Sequence, residues 1–187
     1  MNTKFEIRRK IMHIVIGILA LCLLLAFGWQ FAIVLLLGSI IFLILAKKSK
    51  LKIIRWLIDK FERDDKKQKL PGFALFSLLF GISASYILFP VDIALASAMV
   101  SILGDSTAAL IGNRIGKTRI YGKKTLQGTL GGFIFSFFGA LLFLPLIDAV
   151  FISIIGMLFE LLCPQKWDDN IFVPVASGII LVIKRLI

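Results

Sequence analysis

The sequence predicts an all-α protein, a polytopic bundle of about seven transmembrane helices with its N-terminus in the cytoplasm. Three observations carry that expectation. Of the 187 residues, 59% are hydrophobic and the mean hydropathy is +0.96, where soluble domains hold roughly 45–50% apolar residues even with glycine counted. The apolar residues fall in nearly uncharged runs of roughly 15 to 20, the length of bilayer spans. The 22 Lys and Arg, against 11 Asp and Glu, gather in alternate gaps between the runs, as retention of positive charge on the cytoplasmic side requires.

Taken in order, the first span is expected over 11–27, behind Lys4, Arg8, Arg9 and Lys10. That arrangement mimics a signal peptide, but no small-residue cleavage site follows and a second run begins at once, so an uncleaved span is expected. Gly28-Trp29-Gln30 is the turn into the second span, 31–46. Within 47–70, Ile54, Leu57, Ile58 and Phe61 recur at helical spacing among Lys52, Arg55, Asp59, Lys60 and Glu62, which predicts an amphipathic helix on the cytoplasmic surface. A solvated charged stretch from Arg63 to Lys69 follows it, and Pro71-Gly72 starts the third span, 73–88. Phe89-Pro90 separates this from the fourth, 91 to about 111, and Pro145 separates the fifth, 126–144, from the sixth, 147–162. The seventh covers 173 to about 187, and the whole chain, 1–187, is expected to form a single integral membrane domain.

Twenty of the 22 basic residues then lie on one side: the N-terminus, 47–69, Arg114 to Lys124, and Lys166. The opposite turns hold no basic residue, only Asp92 and Asp148, and Lys184 and Arg185 are the two exceptions. The net charge of +11 is thus accounted for by topology and by anionic lipid headgroups as partners, and no nucleic-acid partner is expected. Cys22 and Cys163 are too few for a disulfide scaffold and read as reduced, small hydrophobes.

An ionisable residue at membrane depth is costly and marks function by default. Asp105, in Gly104-Asp105-Ser106-Thr107-Ala108 at the cytoplasmic end of the fourth span, is one such residue. Its structural alternative is the N-cap of a short helix from Ser106 to Ile115. Beyond it come Gly112-Asn113-Arg114-Ile115-Gly116-Lys117-Thr118 and Lys123-Lys124-Thr125-Leu126-Gln127-Gly128. Glycines admit close backbone approach and the cations supply donors for phosphate oxygens. The first of these pieces is one residue short of P-loop spacing and follows an apolar helix rather than a strand. An acidic group beside several basic ones has the polarity to hold a metal and a polyphosphate. Glu160, Asp168, Asp169 and Asn170 form a third cluster expected on the same side. Arg9 and His13, four apart, share one helical face at the membrane boundary.

In this order, Arg9-Lys10 with His13 and Gly17, Leu70-Pro71-Gly72, Gly104-Asp105 with Ala108, Gly112, Arg114 and Gly116-Lys117, Lys124-Thr125 with Gly128, and Glu160 with Asp169-Asn170 and Pro174 resemble the membrane kinase family of dolichol kinase, phytol kinase and the CTP-dependent diacylglycerol kinase. The resemblance spans nearly the whole chain. It implies transfer of the terminal phosphate of CTP to the hydroxyl of a membrane lipid, with Mg²⁺ or another divalent cation. The CDP-lipid synthases are related by resemblance, but they carry a late His-Gly-Gly motif, and this chain has no histidine beyond His13. Gln127 stands where many relatives carry Glu, which would weaken or rebuild a metal site there.

The expected catalytic residues are Asp105, as metal ligand or as base toward the lipid hydroxyl, and Lys124. Glu160 and Asp169 join Asp105 around the metal. Arg114, Lys117, Lys123 and Thr125 bind the nucleotide phosphates, with Gly112, Gly116 and Gly128 for close approach. Arg9, His13 and Asn170 face the lipid headgroup. A multi-pass protein with its active site toward the cytoplasm is the expected localisation, with nucleotide and lipid as substrates. The rival activities are a CDP-lipid synthase and a small transporter.

Overall fold

The computed structural model describes residues 3–48, 52–62, 70–163 and 168–187, with the side chains of Thr3, Lys48, Lys60 and Phe61 left aside. The charged stretch from Arg63 to Lys69, and Lys166, lie outside the described residues. The architecture is all-α: helices α1 (Thr3–Lys48), α2 (Lys52–Phe61), α3 (Phe73–Leu88), α4 (Val91–Ile115), α5 (Leu126–Ala140), α6 (Leu146–Leu162) and α7 (Asp169–Leu186). Two of them, α1 and α4, are long and apolar enough to cross a membrane.

The first two expected spans are two limbs of α1, broken at Gly28, where φ is 66° and ψ is −151°. Only glycine occupies that region without strain. The limbs fold back on each other, since Arg9 and Phe42 line one pocket and Leu24 and Ala32 share one core cluster. Helix α2 forms where the amphipathic spacing placed it. Glu62 behind it is buried, and its carboxylate accepts from the backbone N–H groups of Gly72 (2.7 Å) and Ala74 (3.2 Å). It therefore caps α3, whose Gly72 sits at φ 82°, and joins the end of α2 to the start of α3.

Helix α4 is the central element, with fifteen residues from Ile93 to Ala108 buried. It packs on α5 through small residues. A Cβ on Gly132 would lie 2.8 Å from the Gly104 carbonyl oxygen and 3.0 Å from Ala108 Cβ, and one on Gly128 would lie 3.1 Å from Gly112 Cα. Small-xxx-small faces of this kind let two helix backbones approach within van der Waals contact. The helix continues unbroken through Asp105 to Ile115, which corrects the N-cap alternative: Asp105 is a helix-interior residue.

The connection after α4 also departs from the purely helical expectation. Arg119–Tyr121 (β1) and Lys124–Thr125 (β2) pair antiparallel. Gly122, at φ 57°, takes the first central position of a two-residue turn, the position that a type II′ hairpin reserves for glycine. Thr125 then caps α5, its hydroxyl accepting from Gly128 N–H at 3.2 Å.

Around an apolar core the outer surface is apolar too, and several serines are buried. Ser77, Ser83, Ser97, Ser136, Ser153 and Ser177 are fully buried, whereas Val34 (60%), Phe138 (60%), Leu142 (71%) and Ile147 (74%) are exposed. Five of those serines donate to carbonyls three or four residues earlier in their own helix, so they enter the interior without an unpaired hydroxyl.

At one end of the bundle, Arg185 reaches Asp92 at 2.7 Å and Asp148 at 2.9 Å, and Lys184 reaches Asp148 at 2.5 Å. The two cations that break the charge asymmetry of the sequence thus pair with Asp92 and Asp148.

Candidate functional site

The other end of the bundle holds a buried polar cluster assembled from four helices and the hairpin. Asp105 extends from α4 and is 9% exposed; Glu160, near the end of α6, is 6% exposed; Asp169 opens α7. One carboxylate oxygen from each lies within 4.8 Å of the other two. Carboxylates do not gather this closely at low exposure without compensating charge. Two ammonium groups provide part of it. Lys10 on the first limb of α1, 3% exposed, forms an ion pair with Asp105 Oδ2. Lys124 on β2 forms one with Glu160 Oε1 at 2.9 Å and also donates to the Glu160 carbonyl oxygen.

The local folding of each element explains the convergence. Asp168 caps α7 by accepting from Asn170 N–H at 3.2 Å, which fixes Asp169 in the first turn. Asn170 Nδ2 donates to Ser77 Oγ of α3 at 3.3 Å, and the Asn170 backbone lies directly against Gly81, so the start of α7 is wedged against α3. The hairpin turn returns the chain from α4 so that Lys124 meets the end of α6. Beside the cluster, burial and then Asp169 push the Cys163 thiol above its ordinary value.

The residues present suit a hard divalent cation. The donors are carboxylate oxygens from three helices, and Glu160 Oε2 is buried with no hydrogen-bond partner. Three carboxylates face two ammonium groups, and oxygen-only donors of that charge are what Mg²⁺ takes.

The other expected site residues are placed differently. Arg114, in the last turn of α4, and Gly116, Lys117 and Lys123, on the connection after it, are exposed, outside the carboxylate cluster. Gly112 and Gly128 are spent on helix packing, since a Cβ on Gly112 would lie 2.9 Å from Thr125 Oγ1, and Thr125 is spent on the α5 cap. Gln127 accepts from the backbone N–H groups of Lys117 (3.0 Å) and Thr118 (3.2 Å), so its side chain shapes the loop rather than joining the acids. Arg9 pairs with Glu6 at 3.0 Å, while His13 is 9% exposed with Nε2 unpartnered.

Lys10 is the residue that sequence reasoning left without a role. Its signal was available: Lys10, His13 and Gly17 follow i, i+3, i+7 on one helical face, and a Cβ on Gly17 would lie 2.8 Å from Ile102 of α4. That face packs on α4, so Lys10 rather than Arg9 meets Asp105. No family model matches the chain, and no curated protein or solved structure is significantly similar to it.

Proposed function

We propose that this protein is a multi-pass membrane lipid kinase that transfers the terminal phosphate of CTP, or of ATP, to the hydroxyl of a lipid alcohol at the cytoplasmic face. The observation that carries the reading is the convergence of Asp105, Glu160 and Asp169, with Lys10 and Lys124, at one end of a bundle whose outer surface is apolar. The family resemblance supplies CTP and the lipid acceptor. Seven crossings with the N-terminus inside account for the alternating basic gaps, and the pairing of Lys184 and Arg185 with Asp148 and Asp92 supports leaving that end on the far side.

In the reaction, the lipid hydroxyl oxygen forms a bond to the terminal phosphorus, the bridging P–O bond breaks, and CDP leaves. The hydroxyl proton passes to a carboxylate of the cluster. Such transfers need positioning and charge neutralisation more than covalent participation by the protein. Asp105, Glu160 and Asp169 would hold Mg²⁺, which when bound neutralises charge on the phosphate oxygens. Lys124 orients Glu160 and adds positive charge beside the acids, and Lys10 does the same for Asp105. Arg114, exposed in the last turn of α4, and Lys117 and Lys123, exposed on the connection after it, collect the polyphosphate electrostatically.

The test is incubation of the purified protein in lipid with γ-labelled CTP or ATP, Mg²⁺ and a panel of lipid alcohols, followed by extraction of labelled lipid. Labelled lipid phosphate is the expected product. Pyrophosphate and a cytidine-bearing lipid would make it a CDP-lipid synthase, and solute movement across liposomes without nucleotide consumption would make it a transporter.

A further inference from the structure

A second feature lies beside the carboxylate cluster. A pocket opens between the two limbs of α1, helix α2 and the start of α3, with apolar walls from Met12, Ile16, Phe42, Leu57, Leu75 and Leu78. Its polar wall residues are Arg9, His13 and Glu62. Arg9 is engaged by Glu6 through two hydrogen bonds of 3.0 and 3.3 Å, and Glu62 by the backbone N–H groups that begin α3. His13 differs. It is more than nine-tenths buried and its Nε2 has no hydrogen-bond partner, a state that costs free energy until a ligand or water satisfies it. Three residues before it, on the same helical face, Lys10 holds Asp105.

We infer that this pocket is the acceptor site: it takes the apolar chain of a lipid alcohol and His13 hydrogen-bonds the hydroxyl. The inference rests on the kinase reading for the fate of that hydroxyl, but not for its binding. Each charged wall residue is already paired, so the pocket offers no charge to an anionic or zwitterionic headgroup. What it offers is apolar surface and one imidazole nitrogen, the complement of a neutral head with a single hydrogen-bonding group. Apolar walls with a few placed polar groups are the usual make-up of small-molecule sites. The amphipathic helix α2, with Ile53 and Trp56 exposed and Leu57 and Ile58 turned to the pocket, forms one wall.

The experiment is equilibrium binding of tritiated geranylgeraniol to the full chain in nanodiscs without nucleotide, with geranylgeraniol or its acetate ester as competitor. Saturable binding is expected, with the alcohol competing better than the ester. Leu75→Trp and, from the opposite wall, Met12→Trp each weaken binding at least tenfold, while Leu45→Trp, exposed on the same limb as Phe42, leaves it unchanged. His13→Phe removes the preference for alcohol over ester. Binding that both wall variants leave intact, or an undiminished preference in His13→Phe, overturns the inference. The two readings fail separately: saturable binding by a protein that transfers no phosphate sinks the kinase and leaves the pocket, whereas transfer with unaltered KM in Leu75→Trp and Met12→Trp sinks the pocket and leaves the kinase.

Discussion

Lys124 Nζ lies 2.9 Å from Glu160 Oε1, joining strand β2 to the last turn of α6. The pair is asymmetric: the lysine side chain keeps 28% of its exposure and the glutamate only 8%. Removing the cation therefore leaves a carboxylate that water reaches poorly, beside two other acids.

Lys124→Met is expected to lower lipid phosphorylation at least about a hundredfold, the scale seen when one preorganised charge-stabilising donor is lost. It also destabilises the fold, by about 1–3 kcal/mol once the partial exposure of Lys124 is allowed for. Lys124→Arg keeps the charge and recovers part of the activity. Initial rates with labelled nucleotide measure both, and a Lys124→Met protein with wild-type kcat would remove this lysine from the reaction.

Asp105→Asn retains shape and deletes one of three converging charges. Lipid phosphorylation is expected to vanish while the protein still inserts and elutes as a single folded species. Asp169→Asn, which leaves two carboxylates, should instead raise the Mg²⁺ concentration for half-maximal rate at least about tenfold. Titrating Mg²⁺ against rate, after chelator treatment, distinguishes the two. If neither variant changes the metal dependence, the cluster is an ion-pair network and nothing more.

Much of this cluster was legible in the sequence because each acid stood at the edge of an apolar run, where a charge needs a reason, Asp169 beside Asp168 and the other two singly. Asp105, Glu160 and Asp169 could be singled out on that ground, although not their partners. Lys10 was hidden among four basic residues whose number topology already explained. The packing role of two glycines was less legible: Gly112 and Gly128 sit among cations in a loop-like stretch, but α4 extends to Ile115 and α5 begins at Leu126, so both lie at a helix interface. A spacing of four between Gly104, Ala108 and Gly112, repeated by Gly128 and Gly132, was the available clue. The helix boundaries at Phe73–Leu88 and Leu146–Leu162 were readable because proline or glycine stands at their starts. The reversal at Gly28 was readable as the turn between two spans, but not that the break falls at Gly28 within one continuous helical element.

The ion pairs of Arg185 with Asp92 and Asp148 make a prediction about topology. Asp92→Asn with Asp148→Asn leaves Lys184 and Arg185 uncompensated, which should loosen the end of α7 and lower thermal stability, while activity at the opposite end persists at low temperature. Reporter fusions at the two termini of the wild-type chain should report opposite sides of the membrane, N-terminus inside. Termini on the same side would exclude seven crossings.

Three glycines separate backbone strain from packing. Gly28 and Gly38 both lie in open space, with nothing within 4 Å of a built Cβ, yet Gly28 sits at φ 66° and Gly38 within a regular stretch of α1. Gly28→Ala is therefore expected to destabilise by about 1–3 kcal/mol through strain alone, and Gly38→Ala to stabilise by about 0.5–1 kcal/mol through helix propensity. Gly132→Val meets the third condition, a Cβ 2.8 Å from a backbone oxygen. It should cost about 1–3 kcal/mol by overpacking and, because it forces α5 from α4, should also disturb Asp105, one residue beyond the Gly104 contact. Thermal unfolding of the three variants in the same detergent, with phosphorylation rates alongside, gives the comparison. The expected order of stability is Gly38→Ala above wild type and the other two below it, with the rate falling most in Gly132→Val. A neutral Gly132→Val would mean that α4 and α5 do not approach as closely as their small-residue faces require, and the position of Asp105 would lose its structural basis.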